Sequence, residues 1–506
     1  MTENGRKRRT LYRHPLSALA GALILAGGAL FIILVLVDIT AATENPYRSL
    51  VTFVLAPAII TLGALLFMVS IWIQVKKART KGEDVRFTLS IDPSDPKYIR
   101  NLWIFLGFTA VLVLIVVFAG TEAYDATESV AFCGETCHEV MEPQYVTYHN
   151  SPHARVPCAE CHIGPGASFW VKSKIDGIRQ IYASAFNTFS RPIETPIENL
   201  RPARETCEHC HWPQQFYGDK LLTRTYYRTD EENSPWTISM RVKIGGGDPG
   251  PTGRVEGIHY HMLTENRLQY VATDRKLQQI AWVRSISDAG DTTIYTNEEE
   301  DLPDFDDPET EVHTFDCMDC HNRPSHKFQP PATAINQAMH SGRISTRLPY
   351  IREQGVELLN ADYVDRQEAQ QAIEEDLRAY YNEDYPELVD SLGGEIDEAV
   401  NVLQEIYSLN FFPEMNTDYR ERENNLSHFV NDGCFRCHNQ YMVDDAGAPL
   451  ATDCKTCHVI VAQGPSGEVE DLEMSLTGLD FQHPEDIDEY WKEVKCTACH
   501  TPEQGY

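Results

Sequence analysis

The pattern of apolar and polar positions divides the chain into stretches of different character. Residues 16–37, 50–75 and 102–119 are apolar runs without a charged side chain. Each is long enough to cross about 30 Å of hydrocarbon as a helix. Pro57 is expected to kink the second run near one end. Beyond residue 120 the long runs stop. Segments 236–244 (WTISMRVKI), 267–274 (RLQYVATD), 278–286 (QQIAWVRSI) and 292–297 (TTIYTN) alternate or carry β-branched and aromatic residues, and GGGDPGP at 245–251 interrupts them as a turn. A small β insert is predicted there. The acidic stretch 298–311 (EEEDLPDFDDPETE) reads as a linker, and residues 349–412, with EAQQAIEEDLRAYY inside them, follow a helical period.

Charge orients this pattern. The 506 residues exceed a single core and predict two to four domains. Net charge is -32, yet residues 1–120 hold 13 Lys and Arg against 7 Asp and Glu, leaving 30 against 68 for residues 121–506. Arg6, Lys7, Arg8, Arg9 and Arg13 precede the first run, and Lys76, Lys77, Arg79, Lys81, Arg86, Lys97 and Arg100 lie between the second and third, whereas loop 38–49 has only Arg48. The positive-inside rule therefore keeps the N-terminus and residues 76–101 in the cytoplasm and places everything from about residue 120 outside. The first run, with 22 apolar residues, exceeds a cleaved signal and is read as a retained anchor. The acidic outer part argues against nucleic acid. It suits cationic or transient redox partners, or a solvated face that keeps copies apart.

Cysteine spacing supplies the chemistry. Twelve of 14 cysteines fall in six CxxCH motifs: Cys158, Cys161 and His162; Cys207, Cys210 and His211; Cys317, Cys320 and His321; Cys434, Cys437 and His438; Cys454, Cys457 and His458; Cys496, Cys499 and His500. The remaining two, Cys133 and Cys137, precede His138 in CGETCHEVM, a CxxxCH variant. Two thiols add across haem vinyl groups and the next histidine binds the iron, so the pattern predicts seven covalent c-type haems. A lone CxxC also suits a zinc ribbon or a redox dithiol, but in those readings the following histidine has no duty. The cysteine-rich segments have little periodicity of their own, as expected if macrocycles supply much of the buried apolar surface.

Electron-transferring irons need sixth ligands. Of 18 histidines, seven belong to the motifs and His14 is cytoplasmic, leaving His149, His153, His209, His259, His261, His313, His326, His340, His428 and His483. His209, between two haem-binding cysteines, is the poorest candidate, and His326, His428 and His483 are the best. Met141 is the candidate extra ligand of the first haem, where thioether sulfur would raise the potential; the alternative is a packing methionine.

An anchor followed by FCGETCHEVMEPQY, then YHNSPHARVPCAECHIGPG and FWVKSKIDGIRQIY, resembles the NapC/NirT family of membrane-anchored quinol dehydrogenases over roughly residues 100–215. Seven motifs, three apolar runs and the HNRPSH and QGP segments are similar to seven-haem inner-membrane cytochromes of metal-respiring bacteria. The resemblance implies oxidation of a membrane quinol such as menaquinol at a first haem beside the bilayer, and electron delivery to periplasmic or outer-membrane c-type cytochromes. It implies Met141 as a ligand, Lys174 near the quinol and Asp176 as its acidic neighbour. From the residues alone, Trp170, Lys172, Lys174, Asp176 and Arg179 form a short amphipathic segment that either meets quinol or simply anchors at the interface.

The expected fold is a mainly α anchor of three transmembrane helices in a bacterial inner membrane, followed by a periplasmic multihaem domain of low regular structure with a β insert and a helical segment. The expected divisions are 1–120, 121–215 (three haems), 216–311 (β insert and linker), 312–430 (fourth haem and helices) and 431–506 (three haems). The expected function is quinol oxidation and outward electron relay. Two alternatives are a terminal reductase of a small oxyanion or metal, which requires an open iron, and a redox subunit of a larger complex.

Overall fold

A computed structural model describes residues 9–10, 14–40, 56–81, 85–86, 96–135, 138–164, 167–197, 202–213, 216, 218–245, 257–263, 267–287 and 289–501. The chain separates into two units, residues 1–133 with 158–182, and residues 134–157 with 183–506.

The first unit is helical. α1 (Pro15–Thr40), α2 (Ala56–Thr80) and α3 (Pro96–Glu128) carry the three apolar runs. Among the described residues, the stretches Pro15–Ile32 in α1 and Ala56–Ala78 in α2 are long and apolar enough to cross a membrane. Pro57 is the second residue of α2, and residues 50–55 of that predicted run, on which the expected kink depends, lie outside the described residues. α1 and α2 approach closely because both offer glycine: a Cβ on Gly27 would sit 3.0 Å from the Ala56 carbonyl, and one on Gly63 3.0 Å from that of Ala20. Small residues at such crossings give the contact that lipid cannot drive hydrophobically. A buried polar link adds to it, with Ser17 and Ser70 hydroxyls 2.8 Å apart and Gln74 Nε2 donating to Ser17 at 3.0 Å.

The second unit begins at residue 134, and its α4 (His138–His149) starts at the first-motif histidine. Ala167–Ala185 forms α5, of which residues 167–182 belong to the first unit. Two antiparallel sheets follow. β1 (Asp219–Tyr227) and β2 (Pro235–Lys243) form a hairpin. β3 (Arg267–Ala272), β4 (Ile280–Ile286), β5 (Thr292–Asn297) and β6 (His313–Thr314) build most of the second sheet. Strands from the C-terminal part complete both: β7 (Met442–Asp444) pairs with β5, while β8 (His458–Gly464) pairs with β2 and carries β9 (Glu473–Leu479) on its outer side. The sheet orders are β9-β8-β2-β1 and β6-β3-β4-β5-β7. The strands of 216–311 are thus shared with residues 431–506 rather than closed on themselves.

The main hydrophobic core is helical. α6 (Pro331–His340), α7 (Ile351–Asn360), α8 (Arg366–Asp384) and α9 (Pro386–Asn410) bury Ile335, Ile351, Leu359, Ile373, Leu377 and Leu403. Proline begins α6 and α9, and Asp365 caps α8 by accepting from the Glu368 amide at 2.9 Å. The β1–β2 hairpin is keyed into this core: the fully buried Asn233 donates to the Leu348 carbonyl at 2.9 Å and accepts from the Arg352 amide at 3.1 Å.

Candidate haem centres

Each motif needs a backbone turn that brings two thiols to one side and leaves the histidine free. Four share one turn, in which the histidine amide donates to the carbonyl of the first cysteine: His211 to Cys207, His321 to Cys317 and His500 to Cys496 at 2.8 Å, and His438 to Cys434 at 2.9 Å. The fourth motif is further pinned by a capping box, where Asp316 accepts from Met318 at 2.7 Å and Asp319 accepts from the Asp316 amide at 2.6 Å. None of the thirteen described cysteines is in a disulfide. Cys137 and the side chain of His138 lie outside the described residues.

Five motif histidines each face a second imidazole. Ring centres are 6.1 Å apart for His211 and His153, 6.4 Å for His321 and His259, 5.7 Å for His438 and His261, 6.1 Å for His458 and His428, and 5.9 Å for His500 and His483. Two imidazoles bound to one metal at about 2 Å per bond hold their ring centres about 6 Å apart, so all five pairs suit one iron between them. In the His438 pair the two Nε2 atoms face each other at 3.5 Å.

Local bonds fix which nitrogen is offered. Nδ1 of His153, His259, His261 and His438 lies 3.2, 3.0, 3.1 and 3.2 Å from the carbonyls of Pro324, Ile244, Ile258 and Ala451. Donation from Nδ1–H leaves the Nε2 lone pair for a metal. Nδ1 of His428 and His458 is buried with no such partner. Burial lowers the pKa of His259, His261, His321, His428, His438, His458 and His500, favouring the neutral ligand form. Gly433, at φ +47°, brings the loop carrying His428 against the fifth motif: a Cβ there would overlap the Ser427 carbonyl at 1.6 Å.

The other predicted ligands are not among these five pairs. His149 ends α4 with its ring 4.5 Å from Tyr145. His326 holds Nδ1 3.0 Å from the Gln144 carbonyl. His340 is exposed at the end of α6, His313 stacks on Tyr270 at 5.2 Å, and His209 is exposed beside its cysteines. Met141 lies half-buried on α4.

Neighbouring motifs lie near one another. The thiols of Cys133 and Cys158 hydrogen-bond, as do those of Cys207 and Cys317. Cys320 is near Cys434, Cys434 near Cys457, and Cys454 near Cys496. Motifs one and two adjoin in this way, and motifs three to seven adjoin in chain order.

In the first unit Lys174 pairs with Glu128 and donates to the Thr127 hydroxyl at 3.3 Å. Glu128 ends α3, its Oε2 is buried without a hydrogen bond, and both charges act on Cys133. Sequence reasoning missed Glu128, because Glu122 and Asp125 nearby look equivalent. Asp176 is half-buried and Lys172 exposed, and the Ile175, Ile178, Ile181 and Tyr182 side chains of α5 are exposed.

The model of the NapC/NirT cytochrome c family, N-terminal region, matches residues 96–199. Cytochrome c-type protein ImcH of Geobacter sulfurreducens is 37% identical over 489 residues, 96% of this chain and 95% of that protein. Cytochrome c-type protein NrfH of Wolinella succinogenes is 28% identical over 125 residues, 24% of this chain and 68% of that protein. No solved structure matches the chain.

Proposed function

From the premise that this chain belongs to the NapC/NirT cytochrome c family, we propose that it oxidises membrane quinol and relays the electrons through seven covalent haems to cytochromes outside the cytoplasmic membrane. Membership makes it a membrane-anchored, electron-transferring c-type cytochrome with covalent haem. The finer reading adds three spans, haems on the periplasmic side, seven attachment sites and a quinol substrate.

Haem, when bound, supplies reversible one-electron chemistry at iron. The observation that carries the proposal is that five motif histidines each face a second imidazole. His153, His259, His261, His428 and His483 would close the sixth position of haems three to seven, a donor set for passing electrons rather than binding a substrate. That leaves the substrate end at motifs one and two. There Lys174 and Glu128 adjoin Cys133. Quinol oxidation releases two protons, and Glu128 Oε2, buried and without a hydrogen bond, is suited to accept one while Lys174 holds the carboxylate in place. The exposed isoleucines of α5 fit the bilayer surface, with Lys172 and Asp176 flanking the quinol approach. Outside the bilayer, the acidic surface favours cationic redox partners.

The test is haem reduction by a quinol analogue in membranes, followed by haem absorbance. Lys174→Ala and Glu128→Gln are expected to slow it about 100-fold, the usual scale of a lost proton-transfer group, with dithionite reduction unchanged. Wild-type quinol rates in both variants would remove the quinol site.

A further inference from the structure

Beyond the irons and the quinol site, one pair of buried cations stands together in the second unit. Arg422 is 3% exposed; its Nη atoms donate to the Thr195 hydroxyl at 3.0 Å and the Ile193 carbonyl at 2.7 Å, and its Nε is buried without a hydrogen bond. Arg323, two residues after His321, also has a buried Nε without a hydrogen bond. The two guanidiniums are close enough to repel each other, although Glu423 acts favourably on Arg323 and Glu421 on Arg422.

The backbone enforces this proximity. Asn322 Nδ2 donates to the Glu423 carbonyl at 3.0 Å, the Asn425 amide donates to Asn322 Oδ1 at 3.0 Å, and Asn425 Nδ2 donates to the Asp319 carbonyl at 3.1 Å. Segments 319–323 and 422–425 are thereby laced together beside the fourth motif. The nearest carboxylates are otherwise engaged, since Glu421 and Glu423 both reach Lys276, at 3.4 and 3.5 Å. Two like charges buried together cost several kcal/mol, which a further anion held between them would offset. A guanidinium fork matches a carboxylate, and Nε is one of the donors of that fork.

We propose that Arg323 and Arg422 form a binding site for a haem propionate, and that they set the potential of the haem that carries it. The proposal rests on haem being attached at Cys317 and Cys320 or at a neighbouring motif. A free carboxylate or phosphate from solution has the same chemistry, so the test separates the two sources.

The test is spectroelectrochemical titration of the purified holoprotein, with each haem followed by its EPR signal and haem content measured beforehand. Arg323→Gln is the primary variant, since among the described residues that side chain makes no hydrogen bond to another part of the fold. Arg422→Gln is the second, and Arg323→Lys restores charge. With haem content unchanged, the glutamine variants are expected to make one haem harder to reduce, shifting its equilibrium about tenfold, which is about 59 mV for one electron. The lysine variant is expected to restore most of that shift. Potentials unmoved in both glutamine variants, at full haem content, would overturn the propionate site while leaving the haem reading intact. A wild-type potential that moves with added acetate or phosphate would also overturn it, by identifying a free anion. Absence of haem from the wild-type chain would instead overturn the reading on which the proposal rests.

Discussion

His261→Ala gives the sharpest consequence of the paired imidazoles. His261 faces His438 with Nε2 atoms 3.5 Å apart, so removing it takes away the only imidazole paired with the fifth-motif histidine among the described residues. His259, two residues away, cannot substitute, because it faces His321 at 6.4 Å and is tied through Nδ1 to the Ile244 carbonyl. The structural cost is small. Besides the His438 pairing, the variant loses one hydrogen bond to the Ile258 carbonyl, 3.1 Å long and worth about 1 kcal/mol net, and ring contacts with Phe315 at 5.1 Å and Tyr260 at 6.3 Å. Against a typical stability of about 5–15 kcal/mol the chain stays folded. With haem bound at the fifth motif, the variant would lack the imidazole that His261 offers to its iron, leaving one position per chain open to an added ligand. Carbon monoxide titration of the dithionite-reduced protein is expected to rise by one equivalent per chain over wild type, with a matching high-spin signal. His340→Ala, at an exposed position, is the control and is expected to add none. Unchanged carbon monoxide stoichiometry in His261→Ala would refute the pairing and reopen the terminal-reductase alternative.

Three further outcomes follow from the packing. Leu403→Ala, in α9 with no solvent exposure, is expected to cost about 2–5 kcal/mol, seen as a lower urea midpoint in far-UV circular dichroism while the Soret band persists. Gly63→Leu is expected to separate α1 from α2, because even a Cβ would lie 3.0 Å from the Ala20 carbonyl; a lower thermal midpoint in detergent checks this. The helical core is expected to lose stability in alkali. Burial pushes Tyr363 up to about 12 and also raises Tyr381 and Tyr407, whereas unfolded tyrosine ionises near about 10. Their contribution is therefore intact below pH of about 10 and lost as pH rises through the folded values, which circular dichroism against pH would show.

Some of this was legible in the chain and some was not, for physical reasons. Apolar runs without charge announce α1 and α2 because a membrane-type helix needs nothing subtler. The alternation of 236–244 and of 267–297 announces β2 to β5. β8 escaped notice because it starts at the sixth-motif histidine and buries Val459, Ile460 and Ala462 as an inner strand, so its residues do not alternate. α6 was missed because PATAINQAMH is short and begins with proline, which reads as a break until it is seen at the first helical position. Motif histidines are legible from spacing alone. Their partners were legible only as a set, because His153, His259, His261, His428 and His483 lie between 17 and 177 residues from the rings they face, and tertiary folding decides the matches. Glu128 was invisible, since its distinction from Glu122 lies in burial against Lys174 and not in local sequence.

All these steps require covalent haem at every motif, including the CxxxCH of Cys133 and Cys137. The most direct measurement is the intact mass of the protein purified from its membrane. The expected result is the polypeptide plus seven haems, with no zinc. A mass with fewer than seven haems, or with zinc at the cysteine pairs, would contradict the account.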